Sequence, residues 1–288
     1  MNSRISNWLL TILSQWCSPF GQDNSTTLQT VSATLNTQAI ALRLPDPNAA
    51  VLPGVVWGKA EHLFSPAFWH VETVQYAARN PEISIQLGRD LREEVAACLL
   101  GGYGMPASLG LAAFVRLRDD GLLNPPQCSH RLESALATPL VVHGVQRRYR
   151  FPRQKARYLS QCLDLLSKFS EPERDREFRD ALSHLPGIGL KTASWIVRNR
   201  RRSNEIAVID VHIHRAGQYI GLFSPSLQPQ RHYRQMEERF VAFADALGIQ
   251  TWLLDAVIWD VMRGIGTILP QEPYVMHANP SQAPSPTH

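Results

Sequence analysis

The stretch Leu185-Pro186-Gly187-Ile188-Gly189-Leu190-Lys191-Thr192-Ala193 decides how the rest of the chain is read. It lies between two segments with helical patterning, 175–184 before it and 190–200 after it. Two glycines spaced by one residue permit a tight turn whose backbone N–H groups point outward at the start of the second helix. Such a turn holds a phosphate without any side chain. The same glycines also suit an ordinary helix–helix turn. Context adds weight, because Arg198, Arg200, Arg201 and Arg202 follow one helix away.

Working outward, the next informative segment is Ala207-Val208-Ile209-Asp210-Val211-His212, which places Asp210 nineteen residues after Lys191. Asp210 follows an apolar run and precedes a helical pattern over 210–221. It therefore reads both as an N-cap and as a candidate functional acid. His212 fits a core or a surface position equally well.

The wording Leu-Pro-Gly-Ile-Gly-x-Lys-Thr-Ala, followed by Val-Ile-Asp-Val-His, resembles the helix-hairpin-helix and Gly/Pro…Asp signature of the DNA glycosylase superfamily. Weaker similarity extends over Leu91–Gly104, Tyr149–Leu159 and Trp252–Gly264, so that residues 60–265 align overall. Within that superfamily a lysine at the position of Lys191 marks the bifunctional members. The chain lacks the four-cysteine cluster of the endonuclease III branch: Cys17, Cys98, Cys128 and Cys162 have no cluster-like spacing. The remaining fit is the 8-oxoguanine glycosylase type.

The resemblance implies a mainly α, two-lobed fold with the active site in the cleft between lobes. Residues 1–90 would pack with 216–276 as one lobe, and 91–215 would form the other, carrying the helix-hairpin-helix at about 178–200. It implies Lys191 and Asp210 as catalytic residues, and Trp195, Asp255 and Trp259 as base-binding residues. Tyr103, Lys155, Gly187, Gly189, Arg200, Arg201 and His212 would contact DNA. No metal, iron–sulfur cluster or other cofactor is expected. The expected partner of the chain, acting as a monomer in the cytoplasm, is double-stranded DNA containing a modified base. One departure stands out: the turn Gly101-Gly102-Tyr103-Gly104-Met105-Pro106 lacks the asparagine and arginine with which the family reads the orphaned cytosine. Tyr103 is left as the wedge.

The chemistry is coherent without the family. Breaking a glycosidic bond builds positive charge on the sugar, which a carboxylate such as Asp210 stabilises. A partly neutral lysine attacks C1′ and forms a Schiff base, and burial at a helix start with Arg198 nearby favours the neutral amine. Asp255 and Trp259 are four apart on a helical pattern over 250–264, so they share a face. There an ionised carboxylate would accept from a donor-rich purine edge while an indole stacks on the ring. Each tryptophan is also a candidate for plain core packing, Trp252 most of all.

Composition agrees with a globular chain. Of 288 residues 44% are hydrophobic and 19% charged, with net charge +4. So mild an excess matters through its distribution. It concentrates in Arg147, Arg148, Arg150, Arg153, Lys155 and Arg157, and again in Arg198–Arg202. No apolar run approaches the roughly 18 residues of a membrane span. The short stretch Trp8–Trp16 reads as a helix and not as a signal peptide, and the cysteine usage points to a reducing compartment.

Further helices are expected over 66–79, 88–100, 106–118, 152–169 and 232–247, and strands over 51–57 and 141–145. Segment 20–55 is polar and turn-rich and yields no assignment, and 277–288 reads as a disordered tail. Two other functions fit parts of the pattern. One is a glycosylase for a different modified base, such as a hypermodified pyrimidine in foreign DNA. The other is a non-catalytic helix-hairpin-helix DNA binder, which would need the glycines but not Lys191 and Asp210 together.

Overall fold

The computed structural model describes residues 28–35, 38–102, 104–124 and 128–265. The expected helix at 8–16, the wedge residue Tyr103 and the tail 277–288 lie outside them. The chain is mainly helical and divides into two compact units, one from residues 1–83 and 209–288 and the other from 84–208.

The first unit opens with an antiparallel hairpin, β1 (Leu28–Leu35) and β2 (Gln38–Pro45), in which Val31 pairs with Leu42. This is the segment that yielded no assignment from sequence. Among the described side chains of the hairpin Ala33, Leu42 and Leu44 are buried, a small alternating set inside a polar segment. The strand expected over 51–57 is instead two short strands, β3 (Ala50–Leu52) and β4 (Val55–Val56), folded back at Gly54, whose φ of +80° suits glycine.

Helix α1 (Pro66–Arg79) starts where Ser65 Oγ accepts from Phe68 N and Pro66 fills the first turn. Its fully buried Trp69 stacks on Phe64, which in turn stacks on Tyr219. The carboxy-terminal part of this unit supplies α8 (Val211–Tyr219), α9 (Pro229–Ala246, kinked at His232) and α10 (Thr251–Ile265). Helix α10 packs on both α8 and α1. Among the described residues no single helix is long and apolar enough to cross a membrane.

The second unit holds α2 (Leu91–Leu100), α3 (Ala107–Asp119), α4 (Ser129–Ala137), the hairpin β5 (Leu140–Val142) and β6 (Val145–Arg147), α5 (Pro152–Leu166), α6 (Asp175–Leu182) and α7 (Leu190–Arg201). Helix α4 has no counterpart in the sequence reading. It is short, begins without a side-chain cap, and buries just Leu132 and Leu136. The expected strand 141–145 is a hairpin that reverses at His143 and Gly144, both with positive φ. The core runs through Leu99, Phe114, Leu136, Leu159, Phe178 and Ile196. Truncating such a residue to alanine typically costs about 2–5 kcal/mol.

Candidate active site

In the second unit the turn between α6 and α7 is closed by backbone bonds from Leu185 N to Leu182 O and from Ile188 N to Leu185 O, with Ile188 buried beneath it. Its two glycines have different jobs. Gly187 sits at φ +76°, and a Cβ there would lie 2.4 Å from the Tyr158 ring, so conformation and packing both demand glycine. Gly189 caps α7 without a side chain, and a Cβ there would meet nothing within 4 Å. The start of α7 therefore presents unobstructed N–H groups at the positive end of the helix dipole, which is what an anion needs.

Lys191 is the second residue of α7 and is half-buried. The turn after α2 passes over it: a Cβ on Gly102 would stand 3.9 Å from Lys191 Nζ, and one on Gly101 would stand 3.2 Å from the Trp195 ring. Trp195, one turn after Lys191, is thus half-buried against the Gly101 backbone. The carboxy-terminal carbonyls of α2 are claimed by side chains. Leu99 O accepts from Lys155 Nζ at 2.7 Å, and Leu100 O accepts from Tyr149 Oη at 2.6 Å. Lys155, expected on DNA, has its ammonium turned inward instead. Burial, and after it the positive charge of Lys191, hold it below the usual lysine range.

A buried carboxylate fixes α2 to α7. Glu94 Oε2 accepts from Leu87 N and Gly88 N at 2.9 and 2.8 Å, while its Oε1 accepts from Asn199 Nδ2 at 2.7 Å. The neighbouring Cys98 thiol is pushed well up by burial and by Glu94. Sequence reasoning had no means of finding Glu94, because a buried acid in a helix looks the same as a solvated one until its partners are known. Tyr149 and Tyr158 escaped for the same reason.

The arginines at the end of α7 are engaged internally. Arg200 pairs with Glu171 at 3.0 Å. Arg201 pairs with Asp175 at 3.1 Å, donates to the carbonyls of Pro172 and Glu173 at 2.7 Å, and lies over the Phe178 ring. The donors expected on phosphates thus hold α6 and its lead-in.

In the first unit Asp210 caps α8, with Oδ1 accepting from both His212 N at 2.8 Å and Ile213 N at 3.0 Å. Neither bond uses Oδ2. The backbone before it is pinned where Ile209 N donates to Tyr233 Oη. His212 meets the edge of Trp259 with ring centroids 6.3 Å apart, and the Arg263 guanidinium stands 4.7 Å from the Trp259 centroid. Trp259 is half-buried, so part of it reaches the surface. Asp255, one turn earlier, is only 1% exposed and is engaged inside the protein. Trp252 is core, its Nε1 donating to Gln250.

The sequence profile of a family described as 8-oxoguanine DNA glycosylase matches residues 83–249, more than half of the chain. The chain belongs to the 8-oxoguanine DNA glycosylase family. A curated relative, the 8-oxoguanine DNA glycosylase/AP lyase of Metallosphaera sedula, is 33% identical over 126 residues, which cover 40% of this family member and 59% of the relative. The family member thus spans about three-fifths of that relative's length. Among solved structures, the 8-oxoguanine DNA glycosylase of Thermotoga maritima superposes with a TM-score of 0.50 at 22% identity, covering 69% of this chain and 90% of that one. That of Methanocaldococcus jannaschii gives 0.46 at 23% identity, covering 63% and 80%. The family's helical fold accounts for the first of these likenesses.

Proposed function

We propose that this protein excises 8-oxoguanine from double-stranded DNA and then cleaves the strand by β-elimination through a Schiff base on Lys191. The observation that carries the reading is the placement of Lys191 in the first turn of α7. It follows a glycine turn open to an anion, and a Cβ on Gly102 would stand 3.9 Å from its amine. A strand gripped by phosphate at that turn would bring a deoxyribose within reach of Nζ.

As the base departs, C1′ gains positive charge, and Asp210 is suited to stabilise it because its Oδ2 takes no part in capping α8. Nζ attacks C1′, and the sugar ring opens to an iminium. Loss of a C2′ proton then breaks the C3′–O bond. The amine must be neutral to attack. Trp259, with His212 at its edge, offers a surface for the extruded base. Asp255 carries the acceptor chemistry that a purine edge needs, although its carboxylate is buried and engaged inside the protein. No cofactor enters this scheme.

The test is a panel of end-labelled duplexes bearing 8-oxoguanine or modified pyrimidines, with borohydride trapping. Nicking of the 8-oxoguanine duplex, and a trapped adduct that Lys191→Gln abolishes, are expected. An undiminished adduct in that variant would remove Lys191 as nucleophile. Cutting of a modified pyrimidine while 8-oxoguanine is ignored would move the substrate to that class.

A further inference from the structure

We propose that the β5–β6 hairpin and the first two turns of α5 form a second phosphate-binding surface, which grips the duplex outside the damaged nucleotide. The inference rests on the reading of the protein as DNA-acting and adds where, beyond the glycine turn, the backbone is held.

Arg147, Arg148, Arg150, Arg153 and Arg157 are all exposed, and none has an ion pair among the described residues. The cause lies in the sequence: no aspartate or glutamate occurs between Glu133 and Asp164. Other arginines of this unit do find carboxylates, as Arg89 does with Glu93, Arg118 with Asp119 and Arg200 with Glu171. A run of guanidinium groups without local counter-charge is electrostatically unsatisfied in the free protein, and a polyanion supplies what is missing.

Two of the five are anchored beside the candidate site. Arg157 lies on the Tyr158 ring, 5.2 Å from its centroid, and Tyr158 is the side chain that packs against Gly187 of the phosphate turn. Arg150 lies on Phe151 and reaches the Gly104 carbonyl at 3.5 Å, in the turn that passes over Lys191. Anchoring on flat rings fixes the direction of a guanidinium while leaving its donors available. From these two the basic strip continues through Arg153 to Arg147 and Arg148 at the base of a tight hairpin. The hairpin tip exposes Val141 by 64% and Val145 by 50%, apolar surface suited to sugar faces beside a bound backbone.

Binding of an undamaged 25-base-pair duplex by the full chain, followed by anisotropy across a salt series, tests this. Replacing Arg147, Arg148 and Arg153 together by alanine should lower affinity by about tenfold to a hundredfold and reduce the log–log salt slope by about two to three. The melting temperature should not change, because these side chains hold nothing inside the protein. The triple lysine variant should recover most of the slope. Replacing Arg200 and Arg201 should leave the slope unaltered. An unchanged slope in a folded triple-alanine variant overturns the proposal, as does wild-type protein that binds anionic phosphatidylserine vesicles but not duplex. If the slope falls as expected while wild-type protein leaves 8-oxoguanine duplex uncut, the surface stands and the substrate reading fails.

Discussion

Two arginine-rich stretches, 147–157 and 198–202, look alike in sequence and are used in opposite ways. In the second, Arg200 and Arg201 are drawn to Glu171, Asp175 and the carbonyls of residues 172 and 173, and Arg198 donates to Asn199. In the first, the nearest acids in sequence are Glu133 and Asp164, and the guanidinium groups rest on aromatic rings or point outward. Arginine density locates charge but does not say whether its donors are already taken. A carboxylate nearby in the fold turns a would-be phosphate ligand into a brace.

The comparison has an extreme, a charge the fold refuses altogether, and the largest effect is expected there. His70 is fully buried, and burial pushes it down to about 4 from 6.5, against the opposing pull of a backbone hydrogen bond involving Leu247. Between pH 6.5 and 4 the unfolded chain takes up a proton that the native state declines. Stability is therefore present above pH 6.5 and falls as the pH drops towards 4, by as much as about 3 kcal/mol. Urea melts at pH 7 and pH 4 would show the loss, and His70→Gln should flatten it. An equally steep pH dependence in that variant would assign the effect elsewhere.

Next in size is Arg201→Ala. It removes two carbonyl hydrogen bonds, two ion pairs and the cover over Phe178, and should cost about 2 kcal/mol in denaturant melts. Duplex-binding salt dependence should stay as in wild type. A shifted slope at unchanged stability would reverse the roles assigned to the two stretches.

Glu171→Gln asks whether a brace is convertible. The partly exposed pairs it breaks should cost no more than about 1 kcal/mol. Partial release of Arg200 should steepen the salt slope by less than one phosphate contact. The smallest effect is expected for Arg153→Ala, within about 0.5 kcal/mol of wild-type stability. A larger loss would mean that this side chain is structural after all.

Much of the helical framework was legible because its boundaries carry local chemistry. Pro66 and Pro152 open α1 and α5 where expected, and the glycines at 187 and 189 mark the turn before α7. The β1–β2 hairpin was overlooked because its alternating apolar positions, Val31, Ala33 and Leu35 then Ile40, Leu42 and Leu44, sit inside a polar segment, and α4 because it has neither cap nor long stripe. Around the site, Lys191 could be singled out because it follows a recognisable turn. Glu94, Tyr149 and the inward course of Lys155 could not, since each is defined by a partner 49 or more residues away along the chain. Those contacts exist only after the unit has folded.

Asp210 illustrates economy of a different kind. Both capping bonds converge on one of its oxygens. Folding therefore asks for a single acceptor at this position, and serine or asparagine would meet that demand. The second oxygen is surplus to the cap, and the negative charge adds only a modest interaction with the helix dipole. A sequence could discard them and keep the same helix start, so inheritance of the shape alone does not guarantee inheritance of the chemistry. If Asp210 acts as proposed, a descendant that caps α8 with serine or asparagine would keep the helix start and lose excision.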